Sequence, residues 1–113
     1  MKCTPLFLTL CLFLVGCSRH DAQLQKSVTG TWTNDVFTVS FVSDGTFTVM
    51  RSNPTHTNIS QGSWLVKDGA LVCTITHSSE LSAGITDTIK IIRVGDSQLL
   101  IDDHGHTNVL IRQ

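Results

Sequence analysis

The sequence contains no tyrosine, and charged residues make up only 15% of its 113 residues, with a net charge of −1. No run of Lys or Arg forms a basic patch, and few aromatic side chains are available for stacking on bases. The apolar stretch near the N-terminus is shorter than the ~20 residues that a membrane-spanning helix requires. We therefore expect neither a nucleic-acid partner nor a transmembrane helix.

Sequence patterns of catalysis are also missing. The chain has no Gly-x-Ser-x-Gly nucleophile elbow and no phosphate-binding glycine loop. Glu80 is the only glutamate, and the aspartates form no carboxylate pair at a spacing that indicates acid–base chemistry. We expect a protein that is not an enzyme, with no catalytic residues and no cofactor.

One short segment, Asp102-Asp103-His104-Gly105-His106, concentrates potential metal ligands. Carboxylates and imidazoles in such numbers can bind zinc or copper. However, side chains alternate along a strand and scatter around a turn, so consecutive residues rarely converge on one ion. We interpret the segment as a solvated hairpin turn and expect no metal.

The N-terminal segment has the pattern of a secretory leader. Lys2 precedes an apolar run from Leu6 to Val15, which has the length of a signal-peptide core. The run ends in Leu14-Val15-Gly16-Cys17, which resembles the lipobox of bacterial lipoproteins. That resemblance implies a signal peptide at residues 1–16 and acylation of Cys17. It also implies a membrane partner, since acyl chains on Cys17 anchor the protein to the cell envelope.

The residue after the lipobox cysteine bears on location. In diderm bacteria an Asp at this position tends to retain lipoproteins in the inner membrane, and here the residue is Ser18. For a diderm source the resemblance therefore implies the periplasmic face of the outer membrane. Residues 17–28 are polar and without sustained periodicity, and we expect a lipidated N-terminus and tether. We expect residues 29–113 to form one domain.

Cysteine usage argues against a disulfide. Cys3 and Cys11 lie in the predicted leader and Cys17 is the predicted acylation site, so Cys73 alone keeps a free thiol. Its neighbours are apolar and β-branched, which indicates a small buried residue in place of a reactive thiol.

From residue 30 onward the sequence predicts short strands. Phe37, Val39 and Phe41 alternate with polar residues, which is typical of a strand with one buried face. Tight-turn signals recur between such runs: Ser43-Asp44-Gly45, Lys67-Asp68-Gly69, Gly95-Asp96-Ser97 and Asp103-His104-Gly105. Eight strands joined by short connections favour an all-β, antiparallel, up-and-down barrel. A β-sandwich is the alternative, but it needs longer crossovers.

Two Gly-x-Trp units, Gly30-Thr31-Trp32 and Gly62-Ser63-Trp64, precede Asp44-Gly45-Thr46-Phe47 and Asp68-Gly69-Ala70-Leu71 respectively. This arrangement resembles the small bacterial lipocalin-like lipoproteins of the calycin type, although the C-terminal helix of full lipocalins is missing. The resemblance implies that Trp32 packs over one barrel end beside Arg112, as a structural cation–π pair.

Two functions are distinguished by whether the interior of such a barrel contains a cavity. An eight-stranded barrel is either just filled by its side chains or holds one small ligand. If a cavity exists, we expect Phe37, Phe41, Phe47 and Trp64 to contact a small apolar ligand. If it is filled, the loops Ser52–Asn58 and His77–Gly84 are the expected contacts for an envelope protein. The apolar residues that we expect to face inward are Phe37, Val39, Phe41, Phe47, Val49, Trp64, Leu71, Cys73, Ile75, Ile89, Ile91, Leu99, Ile101, Val109 and Ile111.

Overall fold

The computed structural model describes residues 20–52, 55, 57–79 and 83–113. Each strand pairs antiparallel with the next, and β1 pairs with β8, so the sheet closes into a barrel. This confirms the predicted all-β, eight-stranded, up-and-down architecture. The predicted signal peptide and Cys17 lie outside the described residues. The strands are β1 (Gly30–Thr33), β2 (Phe37–Phe41), β3 (Thr46–Ser52), β4 (Thr57–Lys67), β5 (Ala70–Ser78), β6 (Thr86–Val94), β7 (Gln98–Asp103) and β8 (His106–Arg112).

Strict alternation of buried and exposed residues builds the barrel wall. Along β4, every second residue from Ser60 to Val66 is buried and the residues between them are exposed.

Two hairpin turns set the register of their strands. Asp68-Gly69 and His104-Gly105 both have positive φ at their two central residues, as the tight turns favoured in hairpins require.

The hairpin between β7 and β8 corrects part of the predicted interior. Its turn at His104-Gly105 pairs Leu99 with Leu110, so Leu110 points inward and is 1% exposed. Val109 and Ile111 point outward and are 46% and 45% exposed. Their assignment to the core was wrong because β8 carries apolar residues on both faces, and only the register distinguishes the two faces.

A helix precedes the barrel where the sequence predicts a tether. Residues 20–28 form this helix, α1, and it lies across one end of the barrel. The Asp21 carboxylate accepts hydrogen bonds from the backbone N–H groups of Asp68 (2.9 Å) and Gly69 (3.1 Å). The side-chain oxygen of Gln25 accepts another from the N–H of Val66. Val28 is completely buried, so α1 is fastened to the barrel.

Trp32 and Arg112 seal this end of the barrel together with α1. The Trp32 ring is fully buried, and its Nε1 donates a hydrogen bond of 2.7 Å to the carbonyl of Val28. The Arg112 guanidinium lies 4.1 Å from the Trp32 ring centroid. It donates hydrogen bonds to the carbonyls of Ser27, Thr29 and Asp96 at 2.8, 3.1 and 2.8 Å. A cation at the C-terminus of a helix also complements the helix dipole.

The described residues contain a closed barrel and the core inside it. The strand ladder closes between β1 and β8, and the core cluster with its partly buried neighbours lies between Leu24 and Leu110. A chain of residues 18–113 therefore contains the whole barrel together with α1. Among the described residues, no helix has the length and apolar character that crossing a membrane requires.

We expect Arg112→Met to lower the free energy of unfolding of residues 18–113 by about 2–3 kcal/mol. The substitution removes charge-assisted hydrogen bonds and a cation–π contact while keeping much of the side-chain volume. Urea unfolding followed by circular dichroism measures the change. The control is Arg93→Met, at an exposed arginine of β6. Equal stability of the two variants would contradict a sealing role for Arg112.

Candidate ligand-binding cavity

The barrel encloses a cavity of about 190 Å³ that is partly open to solvent. Its wall consists mainly of apolar side chains at inward positions of β2 to β8, where the strand alternation turns them toward the barrel axis. The apolar lining residues are Phe37, Val39, Phe41, Phe47, Val49, Leu71, Cys73, Ile75, Ile89, Leu99, Ile101 and Leu110.

The cavity is polar at the end opposite α1. Five strands place a polar residue at the inward position nearest to the connections β3–β4, β5–β6 and β7–β8. We call these five residues the mouth. The cavity is thus an apolar pocket with polar groups at one end, while α1, Trp32 and Arg112 seal the other. The mouth residues are Arg51, Asn58, Asp87, Asp103 and Asn108.

Of the four aromatic residues that the sequence suggests as ligand contacts, three line the cavity and one does not. Phe37, Phe41 and Phe47 line the cavity. Trp64 is buried but is not part of the described lining. Its ring centroid lies 4.9 Å from that of Phe41, and its Nε1 donates a hydrogen bond to the carbonyl of Val42 at 2.9 Å. Trp64 therefore packs behind a lining residue, so it is placed to support the wall.

The sequence analysis missed the mouth, although the same alternation points to it. Arg51 follows Phe47 and Val49 at the next inward position of β3. Asp103 follows Leu99 and Ile101 on β7 in the same way. An assignment of inward positions that considers only apolar residues stops one position short of these groups.

A carboxylate–imidazole cluster lies at one side of the mouth. His104 Nε2 is 2.9 Å from Asp87 Oδ1 and 3.6 Å from Asp103 Oδ1. The hydrogen bond to Asp87 and the negative charges of Asp87 and Asp103 raise the pKa of His104 above its usual value. Asp87 comes from β6, so this cluster differs from the consecutive segment that the sequence suggested.

The cluster has the residue types of a metal site, with the three candidate ligand atoms within 4.8 Å of one another. Its geometry is also that of an ion pair between a protonated imidazole and two carboxylates, which needs no metal. Of the other two potential ligands in the predicted segment, Asp102 accepts a hydrogen bond from the N–H of Gly105 at 2.9 Å. His106 is exposed on the far side of the turn.

Cys73 lines the cavity and is buried, as the sequence predicts. Burial, together with the charge of Asp87, raises the pKa of its thiol to about 12. Since the thiolate is the nucleophilic form, the thiol is unreactive at neutral pH. Cys73 therefore acts as a small apolar residue of the lining.

No protein-family model matches the chain, and a search of the curated proteins finds no match either. The barrel, its sealed end and its cavity are therefore the features from which a function is inferred. They define a closed eight-stranded barrel with space for a small molecule.

We expect the stability difference between the wild type and His104→Gln to depend on pH. Because folding raises the pKa of His104, its stabilising contribution is fully present below the ordinary value of 6.5 and is lost as pH rises through the raised value. Urea unfolding at pH 5.5 and pH 9 measures the difference. The control His106→Gln lies on the same hairpin. A His104→Gln effect of equal size at both pH values would refute the ion pair.

Proposed function

We propose that the protein is a lipid-anchored lipoprotein of the cell envelope whose lipocalin-like barrel binds a small apolar molecule without catalysis. The observation that carries this proposal is the apolar cavity of about 190 Å³. A dry, apolar cavity of roughly 150 Å³ is large enough to bind benzene. The part of the ligand inside the barrel is therefore about the size of an aromatic ring or a short alkyl chain.

The position of α1 supports the anchoring part of the proposal. If Cys17 carries the lipid, the anchor lies three residues before residue 20, the first described residue of α1. Because α1 is bonded to the sealed end, the lipid would hold that end near the bilayer. The mouth would then face away from the membrane, which suits exchange of a ligand with the aqueous compartment.

A second candidate function is contact with another envelope protein. Ile92, Val109 and Ile111 lie on the outer faces of β6 and β8, and each is nearly half exposed. Scattered apolar residues are normal on a surface, but three on the two strands that flank β7 offer a partner an apolar contact area. This alternative assumed a filled barrel, and the cavity counts against that assumption. The loops first suggested for it lie partly outside the described residues.

We expect Val49→Phe to abolish ligand binding without unfolding the barrel. Val49 lines the cavity, so a phenyl ring at this position occupies the space that the ligand needs. Native mass spectrometry of residues 18–113, after exposure to an envelope lipid extract, measures the bound mass. The same substitution on the outer face, Val109→Phe, is the control and retains the ligand. Absence of a bound mass in the wild type, or equal binding by both variants, would contradict a ligand in the barrel.

We expect Cys17→Ser to abolish acylation and membrane association of the full chain. The thiol of Cys17 is the only group of the lipobox that can form the lipid thioether. Expression in a diderm host with an alkyne-labelled fatty acid, followed by membrane fractionation, measures both effects. Cys73→Ser serves as the control and keeps the label. Label on the Cys17→Ser chain would show that the anchor is elsewhere.

A further inference from the structure

Two mouth residues of opposite charge lie on opposite walls of the barrel. Arg51 is on β3 and Asp103 is on β7, and both line the cavity. In a closed barrel of eight strands in sequence order, four strand steps separate β3 from β7 in either direction. A ligand that enters the mouth therefore passes between a guanidinium and a carboxylate that face each other across the opening.

Neither group is fully satisfied by the described residues. The Arg51 guanidinium lies 5.8 Å from the ring centroid of Phe37, and no carboxylate of the described residues is within ion-pair distance of it. Asp103 Oδ1 is shielded from solvent and accepts no hydrogen bond from these residues. His104 Nε2 lies 3.6 Å from this oxygen, which is beyond hydrogen-bond range, and is bonded to Asp87 instead.

An unpaired acceptor that is shielded from water has a cost. Such a group gives up hydration without gaining a hydrogen bond in return. Asp103 lines the cavity and its side chain is 41% exposed, so the accessible part of its carboxylate can accept a hydrogen bond from a donor on a bound molecule. The planar guanidinium of Arg51 can donate two parallel N–H hydrogen bonds to two oxygens of one carboxylate or phosphate group.

We propose that the cavity takes a small zwitterionic amphiphile, with its apolar tail inside, its acid group on Arg51 and its ammonium group on Asp103. This inference rests on the proposed function, because the tail needs the apolar cavity. An anionic head would offer no hydrogen-bond donor to Asp103 and would approach two carboxylates. A cationic head would leave Arg51 unpaired and bring two like charges together. A neutral head would match neither group as well as a zwitterion does.

The test compares four molecules that carry the same hexyl tail. 2-Aminooctanoate is the zwitterion, heptanoate the anion, heptylamine the cation and 1-heptanol the neutral molecule. Isothermal titration calorimetry with residues 18–113 at pH 7.5 measures their affinities. We expect 2-aminooctanoate to bind at least about tenfold more tightly than each of the other three, which corresponds to about 1.4 kcal/mol.

Two variants, each of which replaces a charged side chain with a neutral amide, assign the charges to their residues. Arg51→Gln is expected to lower the affinity for 2-aminooctanoate to that of heptylamine. Asp103→Asn is expected to lower it to that of heptanoate. Both variants should bind 1-heptanol as the wild type does, and circular dichroism verifies that they are folded. Arg93→Gln, outside the cavity lining, is the matched control and keeps the preference for the zwitterion.

The possible failures separate the two proposals. If 1-heptanol binds as tightly as 2-aminooctanoate, the zwitterion proposal is overturned while the apolar cavity function stands. If none of the four molecules binds, both proposals are overturned. If either mouth variant weakens 1-heptanol as strongly as 2-aminooctanoate, the role of that residue is structural and the zwitterion proposal also fails.

Discussion

The contact between Arg112 and Trp32 is the interaction on which the rest of the barrel depends. One guanidinium binds the last turn of α1, the start of β1 and the turn after β6, and it covers the ring that closes the barrel end. These segments are distant in sequence, so a single side chain at the C-terminal end completes the closure. The helix is then held over the ring, with Val28 buried against it.

Because α1 seals one end, the two ends of the barrel interior differ. Side chains near α1 are packed, while the inward positions farther along the strands leave a space of about 190 Å³. At the far end the inward positions become polar, with Arg51 facing Asp103 across the opening. A pocket built in this way is closed at the end that α1 covers. It also orients a bound molecule, because the apolar part gains by entering and the polar part gains by staying at the mouth.

The barrel itself was predictable from the sequence, because period-2 alternation and repeated Asp-Gly turns are local signals. Three other features could not be predicted from local sequence signals. The helix α1 is short, and only Asp21, Leu24, Gln25 and Val28 mark its contact face, which is too few positions for a clear period. β8 carries apolar residues on both faces, so only the register set by the turn at His104-Gly105 shows that Leu110 faces inward. The cluster of Asp87 with His104 joins residues from different strands, and only the folded register brings them together.

In the part of the chain that the structure describes, an apolar cavity lies between an end that α1, Trp32 and Arg112 seal and a polar mouth. Methyl NMR spectra of residues 18–113 under xenon pressure test this arrangement most directly, because xenon enters apolar cavities and shifts the methyl groups around them. We expect shifts for the methyl groups of Val49, Ile89 and Ile101, which line the cavity, and none for Val28 behind the sealed end. Unchanged spectra, or an equal shift at Val28, would contradict this arrangement.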